Sequence, residues 1–160
     1  MNLTREKATL APDPSSETVA VLAVAAGDEL YGFPLSAIRE ILVPPPIAEV
    51  PRAPAPVLGV ISVRGQIITL LDLPKLLNLA SEQAQIYGRV LLVDNGEELV
   101  GVAVNRVIQV YRMEAAHIEY ASAMSAELSE YVIGIGRVGH GSNGDERMLI
   151  LIDPVSLLGG

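Results

Sequence analysis

The chain has 160 residues, half of them hydrophobic, only 4% aromatic, and without tryptophan or cysteine. That length suits one domain or two small ones sharing a core, and such a core has to be built from Val, Ile and Leu, which favour strands when they come in short runs. A formal net charge of −8 with no basic cluster excludes nucleic acid as a natural partner. The longest apolar run, residues 19–26, falls far short of the roughly 20 residues of a membrane-spanning helix, which excludes direct membrane insertion by that route.

Residues 1–18 mix charges, prolines and a Ser-Ser pair without periodicity and are expected to form a flexible tail. They lack the features of a secretory signal, and with the absence of cysteine this points to the cytoplasm. From Val19 onward, apolar runs of strand length alternate with the breakers "AGDE", "VPPP", "PRAPAP", "RG", "DNGEE" and "GHGSNGDE", the pattern of a β-sandwich or barrel. The triple proline Pro44-Pro45-Pro46 stiffens the connection into "LGVISVRGQIITLLDL", residues 58–73, which reads as a hairpin turning at Arg64-Gly65.

An internal repeat organises the rest. Residues 21–42 align without a gap onto residues 90–111, with seven of 22 positions identical, among them Gly27/Gly96, Glu29/Glu98 and Gly32/Gly101. Further on, "PVLGVI" (56–61) matches "YVIGIG" (131–136), and "IITLLDLPKLL" (67–77) matches "MLILIDPVSLL" (148–158), which sets Asp72 on Asp153. The expectation is two pseudo-symmetric β-barrels in residues 19–160. Subdomain 1 covers about 19–87 and subdomain 2 about 88–160, partly interleaved, sharing a hydrophobic interface and each ending in a short helical turn.

Candidates for chemistry are few. Only two histidines occur, His117 and His140, in separate irregular segments, so neither a four-ligand metal site nor a catalytic cluster is expected. "GHGSNGDE" lacks the Gly-Lys-Ser/Thr ending of a phosphate loop and reads as a long hairpin loop. Asp72 and Asp153 each precede a helical turn, where capping explains them better than acid-base catalysis.

The blocks "YGFPLSAIREIL", "VPRAPAPVLGVISVRGQIITLLDL", "ELVGVAVNRVIQV" and "YVIGIGRVGHGSNGDERMLILIDPVSLL" together resemble the CheW-like family of bacterial chemosensory coupling proteins from about residue 19 to the C-terminus. The resemblance implies a mainly β fold of two five-stranded SH3-like barrels around a common apolar interface. It also implies a non-catalytic adaptor without cofactor or metal, linking the cytoplasmic tip of methyl-accepting chemoreceptors to the regulatory domain of a CheA-type histidine kinase. Receptor-facing positions carried over by the match are Ile38, Glu40, Gly59, Arg64, Gly101 and Val110, with Gly65 completing the turn beside Arg64. The kinase contact is assigned only to the exposed barrel faces.

Two departures from the family pattern stand out: Ser62-Val63-Arg64-Gly65 replaces its Asn-Leu-Arg-Gly, and Asn105 follows Val104 where the family has Asp. Each candidate also has a plainer reading. Ile38 and Val110 could be core, Gly59 and Gly101 could admit a neighbouring backbone, and Glu40 could be a solvated carboxylate. A turn arginine does little for stability, which favours Arg64 as an interface anchor. The remaining alternatives are a CheW-like module cut from a larger kinase or adaptor-receiver protein, and a small β-barrel enzyme or ligand-binding protein.

Overall fold

The computed structural model describes residues 17–79, 86–123, 129–140 and 145–159. In chain order the strands are β1 (Thr18–Ala26), β2 (Glu29–Pro34), β3 (Ile38–Leu42), β4 (Val57–Val63), β5 (Gln66–Asp72), β6 (Arg89–Asp94), β7 (Leu99–Val104), β8 (Arg106–Glu114), β9 (Glu119–Tyr120), β10 (Val132–His140) and β11 (Asp145–Ile152). Two short helices, α1 (Leu73–Leu76) and α2 (Pro154–Leu158), follow β5 and β11. The expected tail lies outside the described residues but for its end, where Thr18 already opens β1. Among the described residues no helix is long and apolar enough to cross a membrane.

The protein is mainly β, and its strands form two sheets, ordered β8-β1-β2-β11-β10-β9 and β3-β6-β7-β5-β4. The first has six strands rather than the five expected, because the two-residue β9 adds itself beside β10. The second sheet takes strands from both sides of residue 87, with β3, β4 and β5 before it and β6 and β7 after it. In each copy of the repeat the first two strands stay together and the third crosses over. Thus β1 and β2 join one sheet while β3 pairs with β6 of the other, and β6 and β7 stay in the second sheet while β8 pairs with β1. Parallel pairings complete the symmetry, with Gly32 beside Leu151 in one sheet and Gly101 beside Leu70 in the other.

Strand alternation explains why "VAVLAVAA" carries no polar residue. Val21 and Ala23 face the interior of the first barrel, among Leu30, Met113, Ile118 and Leu149. Leu22, Val24 and Ala26 face the other way, into a central seam with Phe33, Leu91, Val93, Val102 and Val104. Likewise Val90 and Leu92 face the second barrel, beside Ile61, Ile68 and Leu70. Both faces of these strands are buried, so the run must be apolar throughout.

The two helices close the ends of the seam, where Leu73, Leu77 and Leu158 are buried. Each begins at an aspartate. Asp72 accepts a hydrogen bond from the backbone N–H of Lys75 at 3.2 Å, and Asp153 accepts one from Val155 at 3.1 Å, the N-cap arrangement. Asp72 is fully buried and also accepts from the Tyr87 hydroxyl. Burial, together with that bond, holds the Tyr87 phenol well above its ordinary value. Of the stretch expected as a long second hairpin loop, residues 139–146, the first two close β10 and the last two open β11, and residues 141–144 lie outside the described residues. Antiparallel backbone pairing carries the ladder through glycines that sequence pattern reads as breakers.

Candidate interaction site

Val63 and Gln66 pair across a two-residue turn made by Arg64 and Gly65. Both turn residues have positive φ, 49° and 82°, the sign pattern of a type I′ hairpin, whose twist matches that of the flanking strands. Gly65 adopts that conformation freely, whereas an arginine does so at a cost of about 1–2 kcal/mol. Arg64 therefore stands in a strained place, and its side chain has a partner. Its guanidinium donates two hydrogen bonds to Glu40, at 2.5 and 3.2 Å.

Glu40 belongs to β3 and Arg64 to the β4–β5 turn, and β3 and β4 are the two edges of the same five-stranded sheet. The ion pair joins those edges. The proline-rich connection does the same nearby, where Ala48 and Val60 exchange both backbone hydrogen bonds. The pairing pulls the Glu40 carboxyl below its ordinary value, chiefly through the hydrogen bonds from Arg64, and it raises the Arg64 guanidinium for the same reason.

The other expected residues occupy three environments. Ile38 packs against the central seam, as does Val107, the residue that the repeat sets opposite it. Gly59 lies where the proline-rich connection crosses β4, and a Cβ there would sit 2.2 Å from the Ala48 carbonyl oxygen. Gly101 is buried between strands, with Leu70 and Ile61 against it. Both glycines thus have a packing reason for their identity. Val110, on β8, is 39% exposed.

One residue of this surface is missed by the sequence pattern. Ile41 is 42% exposed on β3, and the same repeat that aligns 21–42 with 90–111 sets it on Val110. Its strand partner is Leu91, a seam residue, just as the partner of Val110 is Leu22. Ile41 and Val110 therefore extend the seam outward along the edge strands of opposite sheets. Between those strands lies a depression of about 340 Å³ lined by Ile41, Gly88, Arg89, Asn105, Arg106 and Val107.

No group of three or more metal-ligating side chains occurs among the described residues. His117 is exposed and meets Glu114 at 3.5 Å. Asp72 and Asp153 are each engaged in a cap of their own helix. What the surface combines instead is a groove between two sheets, where Ile41 and Val107 stand beside Arg89, Asn105 and Arg106, and a charged clasp on the strand that carries Ile41.

A CheW-like domain profile matches residues 20–160. The chain belongs to the CheW-like family. Chemotaxis protein CheW of Klebsiella aerogenes is 30% identical over 136 residues, spanning 82% of this chain and 76% of its own length. Chemotaxis protein CheW of Helicobacter pylori is 26% identical over 125 residues, spanning 78% and 76%. The crystal structure of scaffolding protein TtCheW from Thermoanaerobacter tengcongensis superposes with a TM-score of 0.75 at 22% identity, covering 90% of this chain and 94% of that one. That likeness shows a CheW fold, in keeping with the two sheets described above.

Proposed function

We propose that this protein is a non-catalytic cytoplasmic adaptor that couples the cytoplasmic tip of methyl-accepting chemoreceptors to the regulatory domain of a CheA-type histidine kinase. The observation that carries this reading is the groove between β3 and β8, walled by Ile41 and Val107 and continued by Val110, on a chain of the CheW-like family. An amphipathic helix recognises a target by laying an apolar stripe into such a groove, with polar contacts at the rim fixing its orientation. The receptor tip is a helical hairpin in this family.

Glu40, Arg64 and Gly65 supply a charged contact on the other side of the strand that carries Ile41. Arg64 keeps most of its side chain in solvent while two of its N–H groups hold Glu40, which leaves guanidinium donors for a partner. Ile38 acts from the seam side of β3, and Gly59 and Gly101 act by admitting the close packing of β4 and β7 within the sheet.

For the kinase, exposed side chains of the two sheets supply a candidate. Ile67 on β5 and Met148 on β11 are both exposed and occupy matching positions of the repeat, one on each sheet. Signalling then needs no chemistry in the adaptor. Receptor states that bind it differently bias the kinase between its own states.

The test is capture from cytoplasm of the organism encoding this chain. The tagged protein is expected to retain a CheA-type kinase and a methyl-accepting receptor, with Ile41→Asp losing the receptor and Met148→Asp reducing the kinase. Retention of neither partner by the parent protein would overturn the proposal.

A further inference from the structure

Two arginines of the same sheet are engaged with carboxylates: Arg39 meets Asp94 at 2.7 Å, and Arg64 holds Glu40. Arg89 and Arg106 differ. They line the groove itself, together with Ile41 and Val107, and among the described residues neither meets a carboxylate. Arg89 donates only to the carbonyl of its neighbour Gly88, at 2.7 Å. The backbone forces the two together, since Gly88 bonds to the carbonyls of Val104 and Asn105 where β7 hands over to β8.

Two exposed guanidiniums of like charge line one depression with no carboxylate partner among the described residues, and in a chain of net charge −8 they form a local exception. Charges beyond about 8 Å are screened at physiological ionic strength, so a bound partner responds to this pair more than to the overall negative charge. Arginine also offers the planar fork that receives carboxylates in pairs.

We infer that Arg89 and Arg106 make the groove selective for a partner helix whose apolar stripe is flanked by carboxylates. Ile41 and Val107 receive the stripe, and the two arginines fix the register and direction of the helix by pairing with its acidic flank. This rests on the groove reading proposed above and adds the charge pattern of the occupant.

The experiment uses the full chain and the cytoplasmic signalling fragment of a methyl-accepting receptor from the same genome, with affinity measured by titration calorimetry. R89E/R106E is expected to weaken binding roughly tenfold or more. A receptor fragment whose acidic residues beside the apolar stripe are changed to lysine should bind the parent protein poorly and regain affinity for R89E/R106E. The milder R89Q/R106Q should melt with the parent protein while binding the fragment less tightly, which separates recognition from folding. If the arginine variants bind both fragments like the parent protein while Ile41→Asp abolishes binding, the charge inference is overturned and the groove stands. If Ile41→Asp also binds normally, the groove reading fails and this inference with it.

Discussion

Arg64 and Glu40, 24 residues apart in sequence, form a two-pronged ion pair across the two edges of one five-stranded sheet. The arginine reaches from a hairpin turn whose backbone it does not favour, and the carboxylate it finds precedes the groove residue Ile41 in the strand. Neighbouring strand residues point to opposite faces, so clasp and groove lie on the two sides of β3. The pair is exposed, so screening by water limits what it adds to folding.

Exchanging the two charges tests whether the clasp or the arginine itself is read by a partner. Arg64→Glu and Glu40→Arg singly are expected to keep the melting temperature within about 4 °C of the parent protein while weakening receptor binding. The double exchange can restore the ion pair. Receptor affinity that stays low in the double variant assigns recognition to the guanidinium at position 64; affinity that returns assigns it to the pairing.

The pairing also has a pH signature. Because Glu40 is held below its ordinary value of 4.5 in the folded protein, its contribution is present at neutral pH and is lost as pH falls through the depressed value. Parent and Arg64→Ala should thus differ in melting by an amount that is constant between about pH 6 and 8 and shrinks in acid below 4.5. A carboxyl-carbon NMR titration of Glu40 should move toward the ordinary value in Arg64→Ala; an unmoved midpoint would show that Arg64 is not what lowers it.

Gly59 and Gly65 answer differently to alanine. At Gly59 the added methyl meets the Ala48 carbonyl, so Gly59→Ala should displace the proline-rich connection and destabilise the protein by about 2–4 kcal/mol. Gly65 has open space around it, and Gly65→Ala should cost only the left-handed backbone, about 1 kcal/mol. Chemical denaturation of the two variants checks the order, and equal losses would show that contact with Ala48 is not what demands the glycine.

Tyr87→Phe removes a hydrogen bond from a carboxylate that has no access to solvent. The expected loss is about 1–3 kcal/mol. With its folded value raised, the Tyr87 phenol favours the folded state below the ordinary tyrosine value of 10, and that advantage is lost only in stronger base. Burial raises Tyr31 as well, so phenolate absorbance should show one fewer late-ionising tyrosine in the Phe variant than in the parent protein.

Much of this structure can be read from residue pattern. The doubly buried β1, the two capped helical turns and the hairpin at Arg64-Gly65 follow from alternation, Asp-x-Pro or Asp-Pro spacing and turn chemistry. The repeat also contained Ile41, as the counterpart of Val110. What pattern could not supply was the strand exchange, because β3 and β8 obey the same local rules whichever sheet they join; the choice is made by packing on the seam. The bond between Glu40 and Arg64 was hidden for a similar reason. Both residues were marked through the family resemblance, yet only closure of the sheet brings them together. Gly59 and Gly101, in turn, take their identity from neighbours distant in sequence, Ala48 and Leu70.

Receptor-dependent kinase stimulation in a reconstituted mixture tests the adaptor role most directly. With a receptor signalling fragment, a CheA-type kinase and this protein, phosphate incorporation into the kinase should rise well above the level reached without the adaptor. It should fall back to that level with Ile41→Asp or Arg64→Glu at unchanged melting temperature. Stimulation that persists undiminished in both variants, or that never depends on the protein at all, would contradict the coupling role assigned to the surface between β3 and β8.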